Sequence, residues 1–174
     1  MKAASQSRAH RFGTAAALVL AAGLLAMPAL GAGAATSRCS TSQLRLRFVQ
    51  TQAATGHRFI DYAFKNAGPA ACSLRGYSSA VLLDKHGHVI QSADAKVGHW
   101  TISKVRTVVI SSGKRAFFTF TWLDGGFCPK SFTFYSLRVS PPKNAKGFRQ
   151  HLGKTPTCNS SAMVSAIRPK LSKL

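Results

Sequence analysis

The stretch QLRLRFVQ, residues 43–50, alternates strictly between apolar and basic side chains. A period of two is that of a strand, so Leu44, Leu46 and Phe48 are expected to face a core and Arg45 and Arg47 to face water. HRFIDYAFKN (57–66) repeats the pattern, with Ile60, Tyr62 and Phe64 inside and Asp61 and Lys65 outside. NAGP (66–69) then breaks it, because Gly supplies positive φ and Pro removes a donor. Further on, Cys72 and Leu74 share one face, while Tyr77, Val81 and Leu83 lie on the other parity. Gly76 stands between the two sets. A glycine inside a strand pattern predicts a bulge or bend that keeps both in the core. DKHGH (84–88) reads as a hairpin tip, with Gly87 at the position that needs positive φ, before VIQ returns.

The same punctuation continues to the C-terminus. KVRTVVI (104–110) leads through the turn SSGKR to AFFTFTWL (116–123), which places Ala116, Phe118, Phe120 and Trp122 on one face. In KSFTFYSLRVS (130–140), Phe132 and Phe134 occupy one parity and Tyr135, Leu137 and Val139 the other, as for a central strand covered on both sides. Pro141 and Pro142 end it, since neither can donate to a ladder. GFRQHL and SAMVSAIRP supply short final strands. No long amphipathic helical run follows residue 35. The pattern predicts an all-β fold, an antiparallel Greek-key sandwich of seven to nine strands.

The first 34 residues are set apart. Lys2, Arg8, His10 and Arg11 form a basic n-region, Gly13 to Leu30 carries no charge, and Ala32 and Ala34 are small residues suited to a signal peptidase. Residues 1–34 are therefore read as a signal peptide, 35–38 as a short N-terminal segment, 39–168 as the sandwich domain and 169–174 as a basic tail. No Arg-Arg pair suggests the twin-arginine route, and Thr36, Ser37 and Arg38 before Cys39 do not match a lipoprotein signal. The expectation is Sec export to the extracellular space or cell envelope, with no lipid anchor and no membrane span once the signal is removed. The remaining 140 residues suffice for one domain.

Cysteine count agrees with that compartment. Cys39, Cys72, Cys128 and Cys158 form an even set with no Cys-x-x-Cys pair, which favours two structural disulfides over redox or zinc chemistry. Four cysteines allow three pairings. The strand order favours Cys39–Cys72 and Cys128–Cys158: Cys39 precedes the first strand where Cys72 enters the third, and Cys158 follows the loop returning past the strand that Cys128 precedes.

Charge is the unusual bulk property. The chain has 24 Lys and Arg against four acids, Asp61, Asp84, Asp94 and Asp124, for a formal net charge of +20. Loss of Lys2, Arg8 and Arg11 with the signal would leave 21 bases against those four acids, or +17. Such a field attracts nucleic acid, anionic head groups or acidic envelope polymers, although a solvated surface selected for solubility carries the same composition. Lys143, Lys146, Arg149 and Lys154, in the Pro/Gly-interrupted segment, and Arg168, Lys170 and Lys173, at the end, are the candidate anion-contacting residues. A flexible solvated loop and tail is the competing reading. Nucleic acid as a partner has the charge but no motif, because the aromatic residues of RLRF and HRFIDYAFK fall on the inward parity.

Other chemistry is weakly represented. Asp84, His86 and His88 resemble a fragment of a metal site, with His99 the nearby further imidazole, but the shell is incomplete and polar residues are expected at a hairpin tip. No Gly-x-Ser-x-Gly elbow is present, and Asp61 is more simply a cross-strand partner for a base. The expectation is no enzyme and no cofactor. The function reading is an exported, non-enzymatic interaction domain with an unknown protein or acidic envelope polymer as partner; the alternative is a polyanion-binding protein acting through its basic surface.

The order of features also resembles a family. Asn66 to Tyr77 reads N-x-G-x-x-x-C-x-L-x-G-Y, and Ser111, Gly113, Ala116, Phe118 and Trp122 fall in S-x-G-x-x-A-x-F-x-x-x-W, followed by a third cysteine, LRVSPP and a fourth cysteine. This is similar to the exported actinobacterial proteins grouped as domain-of-unknown-function family 4232, over roughly residues 39 to 168. The resemblance implies an immunoglobulin-like sandwich in a secreted or envelope protein, with no established activity and no catalytic residues to carry over. It also implies neutral or acidic relatives with lipoprotein signals, and this chain departs on both counts.

Overall fold

The fold is described over residues 36–93, 105–124 and 128–171 of a computed structural model. The proposed signal peptide, Asp94, His99 and Lys173 lie outside the described residues. After a 3-10 turn (Thr41–Gln43) come β1 (Leu44–Ala54), β2 (His57–Asn66), β3 (Cys72–Arg75), β4 (Ser79–Leu83) and β5 (Val89–Ser92). Then follow β6 (Thr107–Ile110), β7 (Arg115–Leu123), β8 (Ser131–Ser140), β9 (Phe148–Cys158) and β10 (Met163–Val164). The expected all-β architecture is present. One sheet has the order β1-β2-β7-β10, a second β5-β4-β8-β9, and β3 pairs with β6 in a short ladder. Every strand pairing is antiparallel. Non-consecutive neighbours such as β2 and β7 are the Greek-key signature of an immunoglobulin-like sandwich.

The two larger sheets meet through aromatic side chains. Trp122 and Phe120 of β7 pack edge-on against Phe134 of β8, with ring centroids 5.9 and 6.4 Å apart, and Phe64 of β2 meets Phe148 of β9 at 6.1 Å. Ala116, Phe118, Phe120 and Trp122 are all buried, as the alternation predicts, and so are Ile60, Tyr62 and Phe64. Burying a Phe-sized side chain contributes roughly 1.5–3 kcal/mol, so this aromatic row is the main cohesive element of the domain. Both disulfides form in the preferred pairing, Cys39–Cys72 and Cys128–Cys158. Each closes a loop of 30 or 33 residues. In the chain-entropy account such a crosslink stabilises by about 3–4 kcal/mol.

Several positions differ from the sequence reading, and each difference has a structural cause. Phe48 keeps the expected face, opposite Tyr62 with ring centroids 6.4 Å apart, but it lies on the edge strand of its sheet and is 57% exposed. In β4 the core residues are Ala80 and Leu82, with Val81 only half-buried. Cys72, Leu74, Ala80 and Leu82 thus keep one parity throughout, while the chain leaves the β3-β6 ladder at Gly76 (φ +107°) and enters the other sheet. Gly76 is the expected bend, but it redirects the strand instead of inverting its faces. Leu83 is buried as well, since β4 shifts register against β5 at that point.

In β8 a register shift between Phe134 and Ser136 turns both Phe134 and Leu137 into the core, so a bulge replaces the expected two-sided cover. The segment expected to be a short strand followed by a loop is instead one long edge strand, β9, which accommodates Pro156 because an edge can dispense with a donor.

Candidate anion-binding surface

The most consequential correction concerns Asp61. Expected on the wet face of β2, it is buried (3% exposed), and its carboxylate accepts a 2.9 Å bond from Nη2 of Arg168. Thr119 Oγ1 also donates to Asp61, Arg168 Nη2 reaches Thr119 Oγ1 at 2.6 Å, and Nη1 reaches Ser165 Oγ at 2.9 Å. Gln50 Nε2 donates to the second carboxylate oxygen at 2.8 Å. Burial lowers the Arg168 pKa, and the adjacent Asp61 charge opposes that shift. Arg168, taken from sequence as an anion-contacting residue, is therefore committed inside the protein. Its backbone pairs with Phe117, extending the β7 edge beyond β10.

The other described acids are committed too. Asp124 forms an ion pair with Arg58. Asp84 folds its own hairpin tip: Oδ1 accepts from the backbone amides of His86 and His88, each at 2.8 Å, and Oδ2 lies 3.2 Å from His88 Nδ1. Partial desolvation pushes the Asp84 pKa up, but the amides and the nearby histidine outweigh it, so the carboxyl titrates below its ordinary range. The rings of His86 and His88 are 6.0 Å apart. Among the described residues no group of three or more His, Cys, Asp or Glu side chains converges, and the Asp84 contacts are those of a turn.

With three acids occupied, bases face one another across the strands. Strand register sets Arg45 opposite Lys65 and Lys65 opposite Arg115, a row of three cations across β1, β2 and β7. On the second sheet Arg138 of β8 stands opposite Arg149 of β9. Like charges directly opposite are destabilising, by up to roughly 1 kcal/mol per pair. Of the residues singled out from sequence, Lys143, Lys146, Arg149, Lys154 and Lys170 are exposed. Arg149 and Lys154 lie on the ordered edge strand β9, while Lys143 and Lys146 lie in the β8–β9 turn.

One cleft gathers cations from three elements. It measures about 270 Å³ and is lined by Thr36, Arg38, Ser73, Arg75, Thr107 and Lys143. Arg38 bridges in parallel to Ser73, which holds the N-terminal segment beside β3, and Arg75 and Thr107 are register partners in the β3-β6 ladder. Lys143 enters from the β8–β9 turn. That turn is pinned: Asn144 N donates to Pro141 O at 3.0 Å, Asn144 Nδ2 approaches Cys39 O at 3.4 Å, and Thr41 Oγ1 reaches Lys146 O at 3.2 Å. Sequence reasoning selected Lys143 but missed Arg38 and Arg75. Only the strand pairing brings the three together.

Most of this fold falls within the span of a recognised family. Its model, described as a domain of unknown function (DUF4232), matches residues 39–168. The chain belongs to the DUF4232 family. The matched span begins at the first disulfide cysteine and ends at Arg168, so the DUF4232 unit includes both bridges and the buried Asp61–Arg168 pair. Among curated proteins no relative matches the chain.

Proposed function

We propose that this DUF4232 protein is a non-enzymatic binding module that works outside the cytoplasm, and that its ligands are polyanions. The observation that carries the reading is the register of like charges, Arg45–Lys65–Arg115 on one sheet and Arg138–Arg149 on the other. Bases placed for solubility alone can be staggered along a strand, whereas these are aligned at the spacing between strands, about 4.8 Å, against their mutual repulsion. A ligand with closely spaced negative charges turns that repulsion into affinity.

The Arg168–Asp61 and Arg58–Asp124 pairs and the Asp84 turn support the non-catalytic part, since each carboxylate has a structural task. Export is supported by the basic n-region and apolar run of residues 1–34 and by two disulfides, which persist in oxidising compartments. Among the described residues no helix is long and apolar enough to cross a membrane.

The test is the salt dependence of binding to long-chain polyphosphate and to duplex DNA. Affinity should fall log-linearly with salt, with a slope of about −1 per phosphate neutralised, and Lys65→Gln should make the slope shallower. A flat salt response, or no binding to either polymer at low salt, would remove the polyanion reading and leave a shape-specific protein partner as the alternative.

A further inference from the structure

We propose that the cleft between Arg38, Arg75 and Lys143 is a discrete site for a terminal phosphate group, a phosphomonoester or diphosphate end; this rests on the polyanion reading and narrows it to one place. Three cations and three hydroxyl residues line the cleft, and no carboxylate is among them. Guanidinium forks and hydroxyl donors match a tetrahedral oxyanion with several acceptor atoms. A terminal phosphate carries a charge of about −1.5 to −2 at neutral pH, which suits three cations better than the single charge of a diester. At about 270 Å³ the cleft lies at the lower edge of small-ligand pockets, with room for the phosphate and a small appended group.

Two features show that this is a built site and not an accident of a basic surface. The first is its anchoring. Arg38 adjoins Cys39, which is crosslinked to Cys72 of β3, and Asn144 ties the Lys143 turn to the carbonyl of that same Cys39. All three cations are thus held by one disulfide-centred framework, which reduces the ordering cost of binding.

The second is the backbone of Lys143. Pro141, Pro142, Lys143 and Asn144 form a hydrogen-bonded turn with Lys143 at φ +59°, the third position, where glycine or asparagine is strongly preferred. A lysine in the left-handed region is unfavourable for the fold, and that cost points to a use for its ammonium group. The hydroxyls have donors to redirect: Ser73 Oγ makes only long contacts, 3.2 and 3.3 Å, to the carbonyls of Thr36 and Ser37.

The experiment titrates the purified protein with inorganic pyrophosphate at low salt and follows backbone amide shifts. Binding should saturate at one site with the largest shifts at Ser73, Arg75 and Lys143. Lys143→Gly should weaken it by at least about tenfold, with Tm unchanged or raised, because glycine suits the turn. Arg75→Gln should weaken it similarly, whereas Lys85→Gln and Lys130→Gln, which remove the same charge at exposed positions outside the cleft and the aligned rows, should change it by less than about twofold. Dimethyl phosphate should bind at least about tenfold more weakly than pyrophosphate. Equal losses for all four variants, or equal binding of the diester, would overturn the site. If long-chain polyphosphate still binds while pyrophosphate does not saturate, the cleft assignment fails and the polyanion module stands. If neither binds, both fail.

Discussion

Gly76 and Tyr62 each carry one physical demand that a substitution isolates. At Gly76 the demand is conformational: φ is +107°, and an added Cβ would meet only Pro142 Cβ, at 4.0 Å. Space is therefore available and the strain is that of the backbone. Both Gly76→Ala and Gly76→Val should lower stability by about 1–3 kcal/mol in chemical denaturation. A cost that grows steeply from Ala to Val would instead indicate a packing clash. At Tyr62 the demand is dielectric. The ring stacks on Phe118 with centroids 5.7 Å apart, the hydroxyl has no hydrogen-bond partner, and burial pushes its pKa up from 10.0 to about 12. Between those values the unfolded chain loses this proton and the folded protein keeps it, so stability falls as pH rises through that window. The whole contribution is roughly 2–3 kcal/mol, present below the unfolded value and gone above the folded one. Tyr62→Phe should flatten the alkaline limb of a stability–pH curve relative to wild type. It should cost little at pH 7, because no hydrogen bond is lost. Identical alkaline limbs would refute the assignment.

Strands were legible wherever polar and apolar residues alternate without a register shift, as in β2 and β7. They were misread at bulges. The shifts at Leu82/Leu83 and Phe134/Ser136 each change which parity is inside, and a bulge is set by both strands of a pair, so one strand's pattern does not reveal it. The wet face of β2 was misread for a related reason. Asp61 is the one acid in that strand, and its partner Arg168 lies 107 residues further on, in the segment that runs beside β7 after β10. A buried pair of this kind ties the C-terminal segment to the sheet, and its energetics are asymmetric. Arg168→Met should destabilise by about 3–5 kcal/mol, because it leaves the Asp61 carboxylate buried without its cation, and Asp61→Leu should do the same to the guanidinium. The double variant should recover much of the loss, since two apolar side chains carry no desolvation penalty. Additive losses in that double-mutant cycle would mean that the two charges do not act as a pair.

Across the molecule, what the sequence conveyed was an excess of positive charge, and what it withheld was its arrangement. Arg38, Arg75 and Lys143 come from three segments of the chain and meet only because β3 pairs with both the N-terminal segment and β6. The rows Arg45–Lys65–Arg115 and Arg138–Arg149 likewise exist only once register is fixed. The consequence is a fold under electrostatic tension. With a net charge of +20 over the whole chain and three of four acids engaged in local contacts, compaction brings like charges closer than they are in the unfolded chain. Added salt shortens the Debye length from about 30 Å at 0.01 M to about 8 Å at 0.15 M, which weakens that repulsion while leaving the buried Asp61–Arg168 pair largely unscreened. Thermal stability should therefore rise with sodium chloride over this range, by a few degrees. Lys65→Gln, which removes the middle charge of the three-cation row, should raise Tm at low salt and reduce the salt-induced gain. Polyanion affinity should move the opposite way over the same range. A protein that loses stability as salt rises would have attractive surface pairs in control, and the aligned cations would then lack the tension that makes an anionic ligand their natural complement.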